Sequence, residues 1–212
     1  QYLGALPVSD QKEQWKDVTA EFPGGITNAT IHKGTEPQSF VALVMNEPFD
    51  WSYEKILKMN MLEKILSIRL RKKMREEESE VYGIRVNANA SLYPKSEYSF
   101  SFVFGCNPAK TDTLLDIIFD EIKKIQNTLP TDVEMQKARN IFIRQRETKI
   151  EQNGFWVNQL KNHYFQGTEL KTIEEYSLLV NQISAEDIKN AANYFLTPGH
   201  YVKLVLKPGN GH

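Results

Sequence analysis

A chain of 212 residues is long enough to bury a substantial core, as one large domain or two small ones. Its charge is balanced, with Lys+Arg 26 against Asp+Glu 27 for a net of −1, so it lacks the basic footprint of a nucleic-acid-binding protein. Cys106 is the only cysteine, which excludes an intrachain disulfide, and no apolar run approaches the ~20 residues needed to span a bilayer.

The chain opens at Gln1 without an initiator Met and is read as a piece of something longer. Residues 1–25 are expected to be a linker from a preceding domain, because Tyr2-Leu3-Gly4-Ala5-Leu6-Pro7 is turn-rich and Phe22-Pro23-Gly24-Gly25 is a cluster of breakers. Residues 26–212 are expected to form the domain itself. Two short strands are predicted at 27–34 and 38–46, with Gly34 to Pro37 turning between them. The unbroken apolar run from Phe40 to Met45 predicts a central strand covered on both faces.

A helix is predicted over 53–75, since Leu57, Met61, Ile65 and Ile68 recur at three- and four-residue steps, widened by Leu62 and Leu66. Asp50 or Ser52 is placed to cap it. Arg69, Arg71, Lys72, Lys73 and Arg75 crowd its last turns, where cations complement the helix dipole. Two alternating segments follow. Tyr82, Ile84, Val86, Ala88 and Ala90 share one parity, and Tyr98, Phe100, Phe102, Phe104 and Cys106 share another, so each places an apolar row on one face of a pleat. Ser91 to Ser96, with Pro94, predicts a hairpin between them. Cys106 reads as a small buried filler at a strand end.

The remainder is predicted to be mostly helical. Leu114, Ile118, Ile122 and Ile125 mark one helix, and Thr131-Asp132-Val133-Glu134 is a capping box opening another, which makes Glu134 a cap rather than a catalytic carboxylate. A helix from about Phe155 to Phe165 ends at Gly167, a short one spans 174–182, and Ser184-Ala185-Glu186-Asp187 starts a last one that ends near Leu196. Pro198-Gly199 turns into a final strand, 201–206. The order predicts an α+β domain, one mostly antiparallel sheet with helices packed on one face.

A zinc peptidase helix needs two histidines one turn apart beside a glutamate. The four histidines, His32, His163, His200 and His212, make neither that motif nor its inverse. There is no Gly-x-Ser-x-Gly elbow and no phosphate-binding glycine loop. No catalytic residue and no metal ligand is therefore assigned. What stands out is Arg75 closing a helix and Tyr82 opening a strand. A guanidinium and a phenol suit a peptide carbonyl or carboxylate. The plainer alternative pairs Arg75 with Glu76, Glu77 or Glu78 and buries Tyr82 in the core.

Arg75-Glu76 followed by Tyr82 resembles the Arg-Glu…Tyr signature in the C-terminal domain of the M16 family of zinc metallopeptidases. The segment 33–39 before an apolar strand, Phe104-Gly105-Cys106-Asn107-Pro108 before a helix, and the stretch from Gln152 to Leu160 also resemble that family, the last especially its bacterial PqqL-like branch. Each motif is weak alone; their order and spacing along nearly the whole chain make the sum specific. The resemblance implies a LuxS/MPP-like metallohydrolase fold and a metal-free C-terminal domain that closes a proteolytic chamber. It also implies that Arg75 and Tyr82 hold an extended peptide or unfolded protein. The zinc, absent from this chain, would sit in the N-terminal half of the parent, which is the expected partner. A periplasmic address and self-association of the isolated domain follow from the same resemblance; no membrane or nucleic-acid partner does. The alternative is a non-catalytic M16-like structural or peptide-binding subunit.

Overall fold

The computed structural model describes residues 16, 18–77 and 83–209. Its strands are β1 (Ile26–His32), β2 (Ser39–Pro48), β3 (Ile84–Ser91), β4 (Glu97–Cys106) and β5 (Tyr201–Lys207). Its helices are α1 (Tyr53–Glu77), α2 (Thr111–Asn127), α3 (Asp132–Ile150), α4 (Asn153–Gln166), α5 (Ile173–Gln182) and α6 (Ala185–Phe195). A 3-10 turn, Pro108–Lys110, leads into α2.

The strands form one five-stranded sheet in the order β1-β5-β2-β4-β3. β1 runs parallel to β5, and every other pairing is antiparallel. The α+β class and the mostly antiparallel sheet read from the sequence are both present. β2 lies at the centre, while β1 and β3 are the edges.

Alternation decides which face is buried. On β4, Tyr98, Phe100, Phe102, Phe104 and Cys106 all point into the core, and the β3 residues Ile84 and Val86 join them. Burying an aromatic ring of this size contributes about 2–3 kcal/mol. α1 lies on this face against β3 and is flanked by α2, α3 and α6. That is why its buried set, from Leu57 through Met61, Ile65 and Leu70 to Met74, spreads over a broad sector of the helix. Ser52 Oγ caps α1 by accepting from the Lys55 N–H at 3.2 Å; Asp50 instead pairs with the Lys55 ammonium at 2.8 Å. The capping boxes at Thr131/Glu134 and Ser184/Asp187 are both formed, and α4 ends on Gly167 at φ 69°. Cys106 is buried, its sulfur 3.6 Å from Thr111 Oγ1, and burial raises its thiol pKa.

One expectation fails. The apolar run of β2 is covered on one face only: Val41, Leu43 and Met45 are buried, but Phe40 is 52% exposed. Among the described residues the helices all lie on the side that odd-numbered β2 residues face, and none forms a second layer on the other side of the central strand. Ile31, Phe40, Leu204 and Leu206 are exposed on that uncovered side.

Candidate peptide-binding groove

The C-terminal end of α1 and the start of β3 enclose a groove of about 750 Å³. Arg75, in the last turn of α1, is exposed on its wall, and Arg71, one turn earlier on the same helical face, lines it too. The chain returns to the sheet through Gly83, whose φ of +111° lies where side chains are strained. Arg85 follows on β3. It sits opposite Val103 in the register, on the uncovered side of the sheet, while its neighbours Ile84 and Val86 turn into the core. Gln38 and the exposed ring of Phe40 complete the rim from the start of β2, and buried Met74, Ile84 and Phe104 make the base.

Arg75 therefore stands where the sequence placed it, at a helix end beside a sheet edge. Tyr82, its proposed companion, lies outside the described residues. The β3 edge pairs only with β4 among the described residues, so its other side offers backbone N–H and C=O groups to an added strand. Arg71 and Arg85, which the sequence reading does not single out, also line the groove. The signals were available: Arg71 and Arg75 are four apart on a helix, and Arg85 has the opposite parity to the apolar row of β3.

Among the groove's described lining residues none is Asp, Glu, His, Cys, Ser or Lys. The histidines are dispersed. His32 contacts the Pro208 carbonyl at 3.2 Å, His163 contacts that of Thr168 at 2.7 Å, and His200 lies between Glu47 and the Pro23 carbonyl at 3.0 and 2.9 Å. Among the described residues no group of three or more His, Cys, Asp or Glu side chains gathers as a metal site.

Glu134 is a structural carboxylate. It accepts hydrogen bonds from Arg69 Nε and Nη2 at 2.6 and 2.9 Å, which hold its pKa down at about 2, and it closes the capping box of α3. Arg146, 8% exposed, is also internal. Its guanidinium stacks between the rings of Phe155 and Tyr176 at 4.5 and 4.9 Å and donates to the Lys171 carbonyl at 3.0 Å.

A family model described as the Peptidase M16 inactive domain matches residues 1–142. The protein "Zinc protease PQQL-like" of Arabidopsis thaliana is 23% identical over 233 aligned positions, which take in 98% of this chain and 24% of that protein. The periplasmic protease PqqL of Escherichia coli superposes with a TM-score of 0.81 at 18% identity, over 98% of this chain and 23% of that one. A peptidase M16 inactive domain from Pseudomonas fluorescens superposes with a TM-score of 0.72 at 18% identity, over 91% of this chain and 46% of that one. At these identities the superpositions show the fold. The chain spans about a quarter of the length of the Arabidopsis protein and of PqqL.

Proposed function

This chain belongs to the Peptidase M16 inactive-domain family, and from that premise we propose that it is the metal-free C-terminal domain of a zinc metalloendopeptidase, closing the proteolytic chamber and holding the extended substrate. The observation that carries this reading is the position of Arg75 over an open groove at the edge strand β3, whose described lining residues include no Asp, Glu, His, Cys, Ser or Lys.

In this reading the catalytic zinc is held by the N-terminal half of the parent, where it would supply an activated water. This chain contributes three things. The β3 edge aligns the peptide by main-chain hydrogen bonds. Arg75, with Tyr82 added on the sequence resemblance alone, donates to a substrate carbonyl or carboxylate. The uncovered sheet face, apolar around Ile31, Phe40, Leu204 and Leu206, forms part of the chamber wall. Because these groups and the metal sit on different halves, the site is assembled only on closure, which ties turnover to correct substrate placement. A periplasmic location is part of the proposal and is supported by the stated location of PqqL. The isolated chain is expected to self-associate through the same sheet face.

The test is reconstitution. The chain alone is expected to be free of zinc and inert towards peptides, and to restore activity when mixed with the zinc-bearing half. Arg75→Ala and Tyr82→Phe are each expected to lower that restored activity at least ten-fold with zinc content unchanged. Peptide cleavage by the chain alone would overturn the assignment. Failure of the mixture to cleave any peptide would favour a non-catalytic structural subunit.

A further inference from the structure

The cations of α1 fall into two groups. Along most of the helix they are paired. Lys55 meets Asp50 at 2.8 Å, Lys58 meets Glu54 and Asp187 at 2.7 and 2.8 Å, Arg69 meets Glu134 at 2.6 Å, and Lys73 meets Glu121 at 3.5 Å. Arg71 and Arg75, which face the groove, make no ion pair among the described residues. Neither does Arg85, which reaches the same groove from β3. Three guanidinium groups thus converge on one cavity whose described lining contains no carboxylate. Arg71 feels the Glu63 carboxylate without pairing with it; three like charges around one space repel one another, and a set with no ion pair among the described residues lowers its energy by taking up an anion.

The surroundings narrow what that anion is. The base of the groove is apolar, with Met74, Ile84 and Phe104 buried beneath it and the Phe40 ring exposed at the rim. An anion bound there is partly desolvated, which strengthens its attraction to the arginines relative to a pair on an open surface. A planar guanidinium presents paired N–H donors that match the two oxygens of a carboxylate. The groove also opens at the end of a strand edge able to align a peptide. The ligand chemistry that fits all of this is a carboxylate carried on a peptide next to an apolar residue.

Resting on the peptide-holding reading above, we propose that the groove selects substrates by a carboxylate, with Arg71 and Arg85 as specificity-determining residues beside Arg75. The carboxylate belongs either to an Asp or Glu side chain or to the peptide C-terminus. Arg71 and Arg85 discriminate among peptides, whereas Arg75 engages any peptide presented to the edge.

The experiment measures binding of fluorescent peptides to the full 212-residue chain by anisotropy at low and high salt. One extended peptide carries a central Phe-Glu; its partner carries Phe-Gln in the same place; each is made with a free and with an amidated C-terminus. At low salt the Glu peptide, or the free-acid form, is expected to bind about ten-fold more tightly than its neutral counterpart, on the order of one charge-assisted hydrogen bond. Which of the two exchanges removes the preference identifies the source of the carboxylate. The preference is expected to shrink at high salt, and to fall to about one in the Arg71→Gln/Arg85→Gln variant. Equal affinities for acidic and neutral peptides in the wild-type chain overturn the carboxylate proposal and leave peptide holding intact. No binding of any peptide overturns both. A preference that survives in the double variant removes Arg71 and Arg85 from the assignment.

Discussion

Arg69 and Glu134, 65 residues apart, form a two-pronged ion pair that bolts the C-terminal third of α1 to the first turn of α3. Arg69 is 11% exposed and Glu134 27%, so the pair is partly shielded from water. The same carboxylate accepts from the Thr131 backbone N–H at 2.8 Å, so one side chain closes a helix cap and a tertiary contact at once. Glu134→Gln is expected to keep the capping reach but lose the charge, costing about 1.5–3 kcal/mol. Because the Arg69 hydrogen bonds lower the folded pKa to about 2, the carboxylate's contribution is complete above the ordinary glutamate pKa and is lost as pH falls towards 2. Urea melts of wild type, Arg69→Gln, Glu134→Gln and the double variant check this. The coupling energy should be present at pH 7 and shrink between pH 4 and 2.

His200 responds in the opposite direction. Both of its partners accept: Glu47 Oε1 at Nδ1 and the Pro23 carbonyl at Nε2. A neutral imidazole donates through only one nitrogen, so the cation alone satisfies both. The hydrogen bond to Glu47, then that to Pro23, raises the histidine pKa above 6.5. Its stabilisation is therefore complete below that value and lost as pH rises through the higher folded one. The wild-type advantage over His200→Gln is expected to be larger at pH 5.5 than at pH 8.5, by about 0.5–1 kcal/mol at low salt. A pH-independent difference between the two melts would refute the account.

Arg146 holds α3, α4 and α5 together through its planar shape. Its stacking on Phe155 and Tyr176 and its bond to the Lys171 carbonyl are all lost in Arg146→Ala, with an expected cost of about 2–3 kcal/mol. Arg146→Lys keeps the charge without the flat face that stacks on the two rings and should recover less than half of that. Denaturation midpoints of the two variants decide it. If lysine restored full stability, charge rather than shape would be the operative feature.

Gly83 tests the approach to the groove. A Cβ added there meets nothing within 4 Å, yet φ is +111°. Gly83→Ala should thus cost about 1–3 kcal/mol through backbone strain alone, read as a lower thermal midpoint with unchanged near-UV circular dichroism. No loss of stability would mean that β3 can be entered by another backbone path.

Much of this molecule follows from local rules. The strand parities at 84–90 and 98–106, the capping boxes at Thr131 and Ser184, and the stop at Gly167 are set by neighbours within a few residues, so they are legible one segment at a time. Arg75 is legible for a related reason: the end of a helix and the start of a strand are themselves local events. Phe40 is not. Its apolar run predicts burial on both faces, and although the element order places the helices on one face of the sheet, nothing local to β2 says which of its residues that face takes.

The sequence by itself determined the element order, the α+β class and the lack of a zinc helix motif in this chain, because period, caps and motif spacing are properties of contiguous residues. Only the tertiary structure decided that Arg69 is tied to Glu134 while Arg71 is not. Only it brought Arg85 from a later strand to the groove of Arg71 and Arg75. Those outcomes depend on which surfaces meet across tens of residues. A run of five cations on one helix looks uniform until the partners that neutralise some of them have folded into place.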